Sequence, residues 1–154
     1  MAGIIDARLQ ELAITLPQAA APAANYVPFV RTGAHLYISG QIPMGPDGLQ
    51  FVGKLGETMD AETGAAAARL CAINIIAQAK AALGDLDRVA RIVKLVGFVN
   101  STGDFGDQPK VINGASDLMV AVFGDKGRHA RSAVSAVSLP FGVAVEVEAV
   151  IEIA

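Results

Sequence analysis

The chain has 154 residues, 12 basic and 15 acidic, for a net charge of −3, which is one ordinary domain's worth of sequence. Its basic residues are scattered, which disfavours a nucleic-acid partner, because phosphate backbones reward clustered positive charge. The lone Cys71 excludes an intrachain disulfide.

The chain is 53% hydrophobic with a mean hydropathy of +0.46, yet it lacks tryptophan. That excess predicts apolar surface hidden in an oligomer. Asp6 and Arg8 follow Ile4 and Ile5 at once, unlike a signal peptide, and no uninterrupted apolar run approaches the ~18 residues of a membrane span. The expectation is a soluble, cytoplasmic protein with no membrane partner.

In chain order, residues 3–15 place Ile4, Ile5, Leu9, Leu12 and Ala13 on a helical stripe, predicting a short amphipathic helix. Leu16 to Ala24 is Pro/Ala-rich and reads as an extended connector. Tyr26 to Arg31 predicts a strand, with Pro28 arguing for an irregular or edge position. Thr32-Gly33-Ala34 is a turn, and His35 to Ser39 a second strand. Gly40 follows in Ser39-Gly40-Gln41-Ile42-Pro43, where backbone can approach a ligand closely. Met44 to Met59 is a loop containing the turn signature Gly45-Pro46-Asp47-Gly48.

Asp60 is a good N-cap for a helix ending near Leu83, where Gly84 stops it. Cys71 falls within that helix and reads as a buried, inert thiol. Arg88 to Asn100 is rich in β-branched residues and apolar on both faces, as a central strand is. Ser101 to Lys110 reads as a polar loop, and Val111 to Phe123 as a second long helix.

His129 to Ile153 reads as two strands joined by the breaker Leu139-Pro140-Phe141-Gly142. Alternation puts Val143, Val145, Val147, Ala149, Ile151 and Ile153 on one face, and Glu146, Glu148 and Glu152 on the other. If the apolar sides of both strands share one core, Arg131 lands on the surface of Glu146 and Glu148. The order predicts an α+β domain: a two-layer sandwich with helices on one face of a mixed sheet, plus the short N-terminal helix. Residues 1–154 read as a single domain, with its core at about 24–153.

No CxxC, HExxH, GxGxxG after a strand, P-loop or GxSxG is present. His35 and His129 lie far apart without a third obvious ligand, so neither metal nor cofactor is expected. Arg131 has an ordinary reading as a surface arginine paired with Glu148, and the three glutamates as a solvated strand face.

Read together, several segments carry a resemblance: SGQIP after a hairpin, FVN before a DF-containing loop, VIN on a helix, then ARSAV…LP…VEVEA. The sequence resembles the RidA/YjgF family of enamine/imine deaminases, also labelled endoribonuclease L-PSP proteins, over roughly Pro22 to Ile153. The resemblance implies a chorismate-mutase-like fold and a homotrimer with ligand clefts between subunits. It implies that Arg131 grips a small carboxylate bidentately, that Glu146 orients water, and that Tyr26 and Ser39 complete the catalytic set. Gly40, Asn113 and the backbone of Ala133 are the further substrate contacts expected. The implied activity is hydrolysis of 2-imino or enamine acids to 2-keto acids and ammonia. The alternatives are a non-catalytic trimer binding a small carboxylate or a partner protein, and, from the label alone, an endoribonuclease.

The chain departs from the family at Ala133, commonly cysteine, at His129, commonly proline, and at Ser116, commonly tyrosine. The N-terminal helix and a short insertion near Gly106 to Lys110 are extra.

Overall fold

The computed structural model describes residues 3–22 and 24–154; Ala23, in the predicted connector, lies outside them. In chain order the elements are α1 (Ile4–Glu11), β1 (Phe29–Thr32), β2 (His35–Gln41), β3 (Met44–Gly45), β4 (Gly48–Leu49) and α2 (Ala61–Leu83). There follow β5 (Val89–Asn100), α3 (Gln108–Phe123), β6 (Ala130–Ala136) and β7 (Val145–Ile153). Five strands form one sheet in the order β1-β2-β7-β5-β6. All neighbours are antiparallel except β5 and β6, and α3 forms the crossover that a parallel pair requires.

Strand alternation decides which face is covered. Val145, Val147, Ala149, Ile151 and Ile153 are each buried, and with Leu36, Ile38, Ile92 and Leu95 they form the sheet's contribution to the core. The helical side is α2, capped at its start by the Asp60 carboxylate accepting from the Thr63 amide at 2.8 Å. It ends at Gly84, whose φ of 76° few other residues adopt without strain. By length and apolarity this helix would pass for a membrane span, but its apolar length is spent against the sheet and α3. A Cβ on Gly114 would sit 1.9 Å from the carbonyl oxygen of Ala65, so only glycine permits the α2–α3 approach. Helix α3 starts three residues earlier than predicted, because Pro109 suits the first helical turn.

Three expectations require correction. First, β6 and β7 are not a hairpin: β5 lies between them, pairing with both. The Leu139–Gly142 connection steps over a whole strand position, and the long, doubly apolar β5 takes the centre.

Second, the register separates the charges predicted to share a surface. Leu95 stands opposite Arg131 on one side and Ala149 on the other, so Arg131 belongs to the helix-covered face. Phe98 stands opposite Val134 and Glu146, and Val96 opposite Glu148, on the open face. The apolar side of β6 was the wrong guide, since Val134 is 45% exposed on an edge strand.

Third, α1 buries Leu9 but leaves Ile4 exposed. Eight residues present too short a stripe, and the helix docks through its end instead: the Asp87 carboxylate accepts the amides of Ile4 and Ile5, both at 2.9 Å. Those bonds hold the Asp87 carboxyl below its ordinary range. Lys80 adds a bridge to Asp6 at 3.0 Å. Beyond α1 the chain runs extended across α2, where the Gln78 side-chain amide donates to Ala20 O at 2.9 Å.

The open sheet face carries Val30, Tyr37 and Val134 exposed, beside the glutamates of β7. Nothing else in the protomer covers these side chains among the described residues.

Candidate active site

Six of the seven candidate residues fall into two groups. Tyr26, Ser39, Gly40 and Glu146 line one cavity of about 510 Å³ at the end of β2. Arg131 and Asn113 meet on the other side of the sheet, at the outer edge of β6, with Arg131 opening on a shallow pocket of about 240 Å³. By register, Arg131 and Glu146 are three residues apart along the strands and two strands apart across them. That is roughly 10 Å in each direction, on opposite faces.

The first group is built by an irregularity. The β2–β7 register shifts between Ile38 and Gln41, bringing Ser39 and Gly40 against Glu146. A Cβ on Gly40 would lie 2.7 Å from a Glu146 carboxylate oxygen, so the missing side chain is the space the carboxylate occupies. Ser39 is pinned: its amide donates to Pro28 O and its hydroxyl to Val27 O, both at 2.9 Å. Partial burial, and secondarily the charge of Glu148, raise the Glu146 carboxyl above its ordinary pKa. Tyr26 is exposed at the same cavity.

Sequence reasoning missed three contributors here. Phe141, 72% exposed with φ 59°, is an aromatic side chain displayed on a backbone conformation few non-glycine residues adopt. Asn74 and Gln78, 8% and 2% exposed, line the cavity from α2. Two amides four residues apart in a mostly apolar helix were the available signal.

The second group is a chain of hydrogen bonds. Arg131 Nη1 donates to Asn113 Oδ1 at 2.8 Å and to the Ser116 hydroxyl at 3.2 Å. Ser116 Oγ lies 2.8 Å from His129 Nε2, and His129 Nδ1 lies 2.6 Å from Gly127 O. A carbonyl only accepts, so Nδ1 carries the proton; in the neutral ring Nε2 then accepts from Ser116, whose oxygen is left to accept from the guanidinium. His129 and Ser116, two departures from the family pattern, thus steer Arg131 together. Its Nε and Nη2 make no hydrogen bond among the described residues, and two donors on one edge of a guanidinium match a carboxylate. No bridge joins it to Glu148 among the described residues; Asn113 and Ser116 are its partners.

Ala133 is half-buried on the face of Gly97 and packs on the core. Cys71 is fully buried within α2, where burial raises its thiol pKa, and its Sγ lies 3.6 Å from Val145 O. It is inert, as expected.

The geometry can be compared with known proteins. The family described as "YjgF/chorismate mutase-like, putative endoribonuclease" matches residues 6–152. Protein TCP17 of Trypanosoma cruzi is 53% identical over 152 residues, covering 98% of this chain and 95% of that protein. The crystal structure of Atu1372 from Agrobacterium tumefaciens, a protein of unknown function, is 50% identical with a TM-score of 0.91, covering 97% of this chain and 92% of that one. Escherichia coli TdcF, solved with bound serine, is 27% identical with a TM-score of 0.64 over 89% of this chain and 94% of its own. A match along almost the entire chain, on a five-stranded sheet backed by two helices, makes this protein a member of the YjgF/RidA family.

Proposed function

We propose that the protein hydrolyses reactive 2-imino acids to 2-keto acids and ammonia, in a cleft shared by two copies of a homotrimer. The supporting observation is Arg131, held through one nitrogen while the Nε/Nη2 edge stays unpaired among the described residues. A carboxylate on that edge is fixed in plane and direction. TdcF with bound serine is consistent with a small carboxylate as ligand.

The split site requires a second copy. Glu146 cannot reach a ligand held by Arg131 of its own chain across the sheet. A neighbouring protomer that closes its β2 end over the β6 edge supplies Tyr26, Ser39, Gly40 and Glu146 together. The uncovered apolar side chains of the open face make such association favourable.

Chemically, water adds to the imine carbon while Glu146 takes one of its protons. Passing that proton to the imine nitrogen gives a carbinolamine. The carbon–nitrogen bond then breaks, the hydroxyl proton leaves with nitrogen as ammonia, and the carbonyl remains. A carboxyl whose pKa is raised toward the working pH suits both proton transfers. Ser39 and the Ala133 carbonyl flank the nitrogen, Asn113 keeps the arginine aligned, and Tyr26 covers the cleft. Positioning and modest electrostatics suffice for so reactive a substrate.

The test couples an amino-acid oxidase to the protein and follows disappearance of the imine. Turnover falling by about 100-fold or more in Arg131→Ala is the expected result. An active preparation whose turnover survives that substitution removes the anchoring role. Ligand-induced stabilisation that needs Arg131, without turnover of any imino acid, favours the second reading, a non-catalytic trimer binding small carboxylates.

A further inference from the structure

The Glu146 cavity is larger than the proposed chemistry needs. A 2-imino acid with a one-carbon side chain fills a small part of about 510 Å³, a volume in the range of drug-sized ligands. Its outer wall is the extended segment after α1: Pro17 to Pro22 line it, and the Gln78–Ala20 hydrogen bond holds that segment over α2. The N-terminal extension therefore encloses a volume that the sheet and helices alone leave open.

The lining chemistry restricts the occupant. Among the described residues Glu146, at the reacting end, is the one charged side chain in the lining, with no lysine or arginine. A second carboxylate on the substrate has no counter-charge here, and an ammonium deep in the cavity has none either. Walls from Pro17, Pro22, Ile42, Met44 and Phe141 favour an apolar or aromatic body.

Part of the lining is polar and buried. Asn74 Nδ2 donates to Ile42 O and Met44 O at 3.0 and 3.1 Å, and Gln78 Nε2 is committed to Ala20 O. Those bonds use both N–H donors of Asn74 and one of the two of Gln78, and they orient both amides with their oxygens unused. Neither oxygen receives a hydrogen bond among the described residues, and no fully buried side-chain oxygen there lacks a partner. Both carbonyl oxygens thus retain some accessible surface, and both residues line the cavity. They are acceptors awaiting a donor.

We infer that this cavity is the side-chain pocket of the substrate, selecting imino acids whose uncharged apolar or aromatic side chain ends in an O–H or N–H donor that reaches Gln78 and Asn74. This rests on the deaminase reading and adds to it a substrate class. A donor-matched side chain gains a hydrogen bond that its unsubstituted analogue leaves unmade, and a discrimination of roughly 10- to 100-fold is the scale expected.

The experiment compares imino acids generated from tyrosine, phenylalanine and alanine, of which the first two differ by one hydroxyl. Wild-type kcat/KM is expected to rank them in that order, with at least about 10-fold between the tyrosine and phenylalanine derivatives. Gln78→Leu should bring that pair to near equality. Ala77→Leu, which adds volume from the same α2 lining, should lower both aromatic derivatives relative to the alanine one. Equal handling of tyrosine and phenylalanine derivatives by wild type, or a preference unmoved by Gln78→Leu, overturns the inference. If no imino acid is turned over, the deaminase reading fails by itself, and thermal shifts with the three corresponding keto acids judge the pocket. The tyrosine keto acid stabilising most, with that advantage lost in Gln78→Leu, supports the pocket; equal shifts reject it.

Discussion

The two halves of the site differ in how their polar groups are satisfied. At the β6 edge, a line of hydrogen bonds runs from Gly127 O through His129 and Ser116 to Arg131, and Asn113 holds the same guanidinium nitrogen. At the β2 end, Glu146 accepts no hydrogen bond among the described residues, and partial burial leaves it with a raised pKa. The first arrangement fixes a direction, while the second leaves a carboxyl that no group among the described residues holds. In the proposed reaction a rigid grip and a titrating group serve different steps, and the sheet keeps them apart within a protomer.

The strongest way to break that comparison is complementation. Arg131→Ala and Glu146→Gln should each reduce imine hydrolysis by about 100-fold or more when assayed alone. Refolded or co-expressed together, the two variants form mixed assemblies in which some clefts receive Arg131 from one copy and Glu146 from the next. Random mixing in equal amounts leaves about a quarter of the clefts intact, so activity should return to about a quarter of wild type. Absence of any recovery in assemblies shown to be mixed places both residues' roles within one chain, against the register.

Much of this was legible in the sequence, and the failures have physical causes. The Asp60 cap, the Gly84 stop and the alternating β7 depend on local rules, and each appears where those rules put it. The neighbours of β6 depend on where a crossover deposits the strand, which no residue in Ala130–Ala136 records. A face assigned from apolar alternation fails on an edge strand: there Val134 is exposed, while Arg131 takes the helix side and finds Asn113 and Ser116. The polar part of the cavity lining escaped notice because Asn74 and Gln78 sit in a helix whose apolar majority explains its burial without them.

A smaller effect sharpens the account of Glu146. Its pKa is raised mainly by burial and secondarily by Glu148. The acid limb of kcat/KM should therefore lie above the pH of an ordinary glutamate, since the ionised form takes the proton from water. Glu148→Gln removes a like charge from the exposed position two residues along β7, which lowers the Glu146 pKa and moves the limb toward acid. Salt should narrow the difference between the two proteins, because Glu148 is solvent-exposed. A limb that does not move assigns the pH dependence to another group.

The smallest effect is on stability, and its sign separates the two halves of the site once more. An acid whose folded pKa is raised is stabilising to the fold when protonated and costs stability once ionised above that pKa. For Glu146 that cost appears as pH rises through the raised value, and it is absent in acid. Glu146→Gln keeps the shape but cannot ionise, so it should be the more stable protein near about pH 7, by less than ~1 kcal/mol given the partial exposure. Near about pH 4 the two should melt together. Arg131→Ala should show no such pH-dependent gain, since a guanidinium stays charged throughout and its loss only strips a partner from Asn113 and Ser116. Thermal melts of the three proteins across that range would expose the contrast directly: a glutamate held in a site against its preference for water, and an arginine whose site is built around its charge.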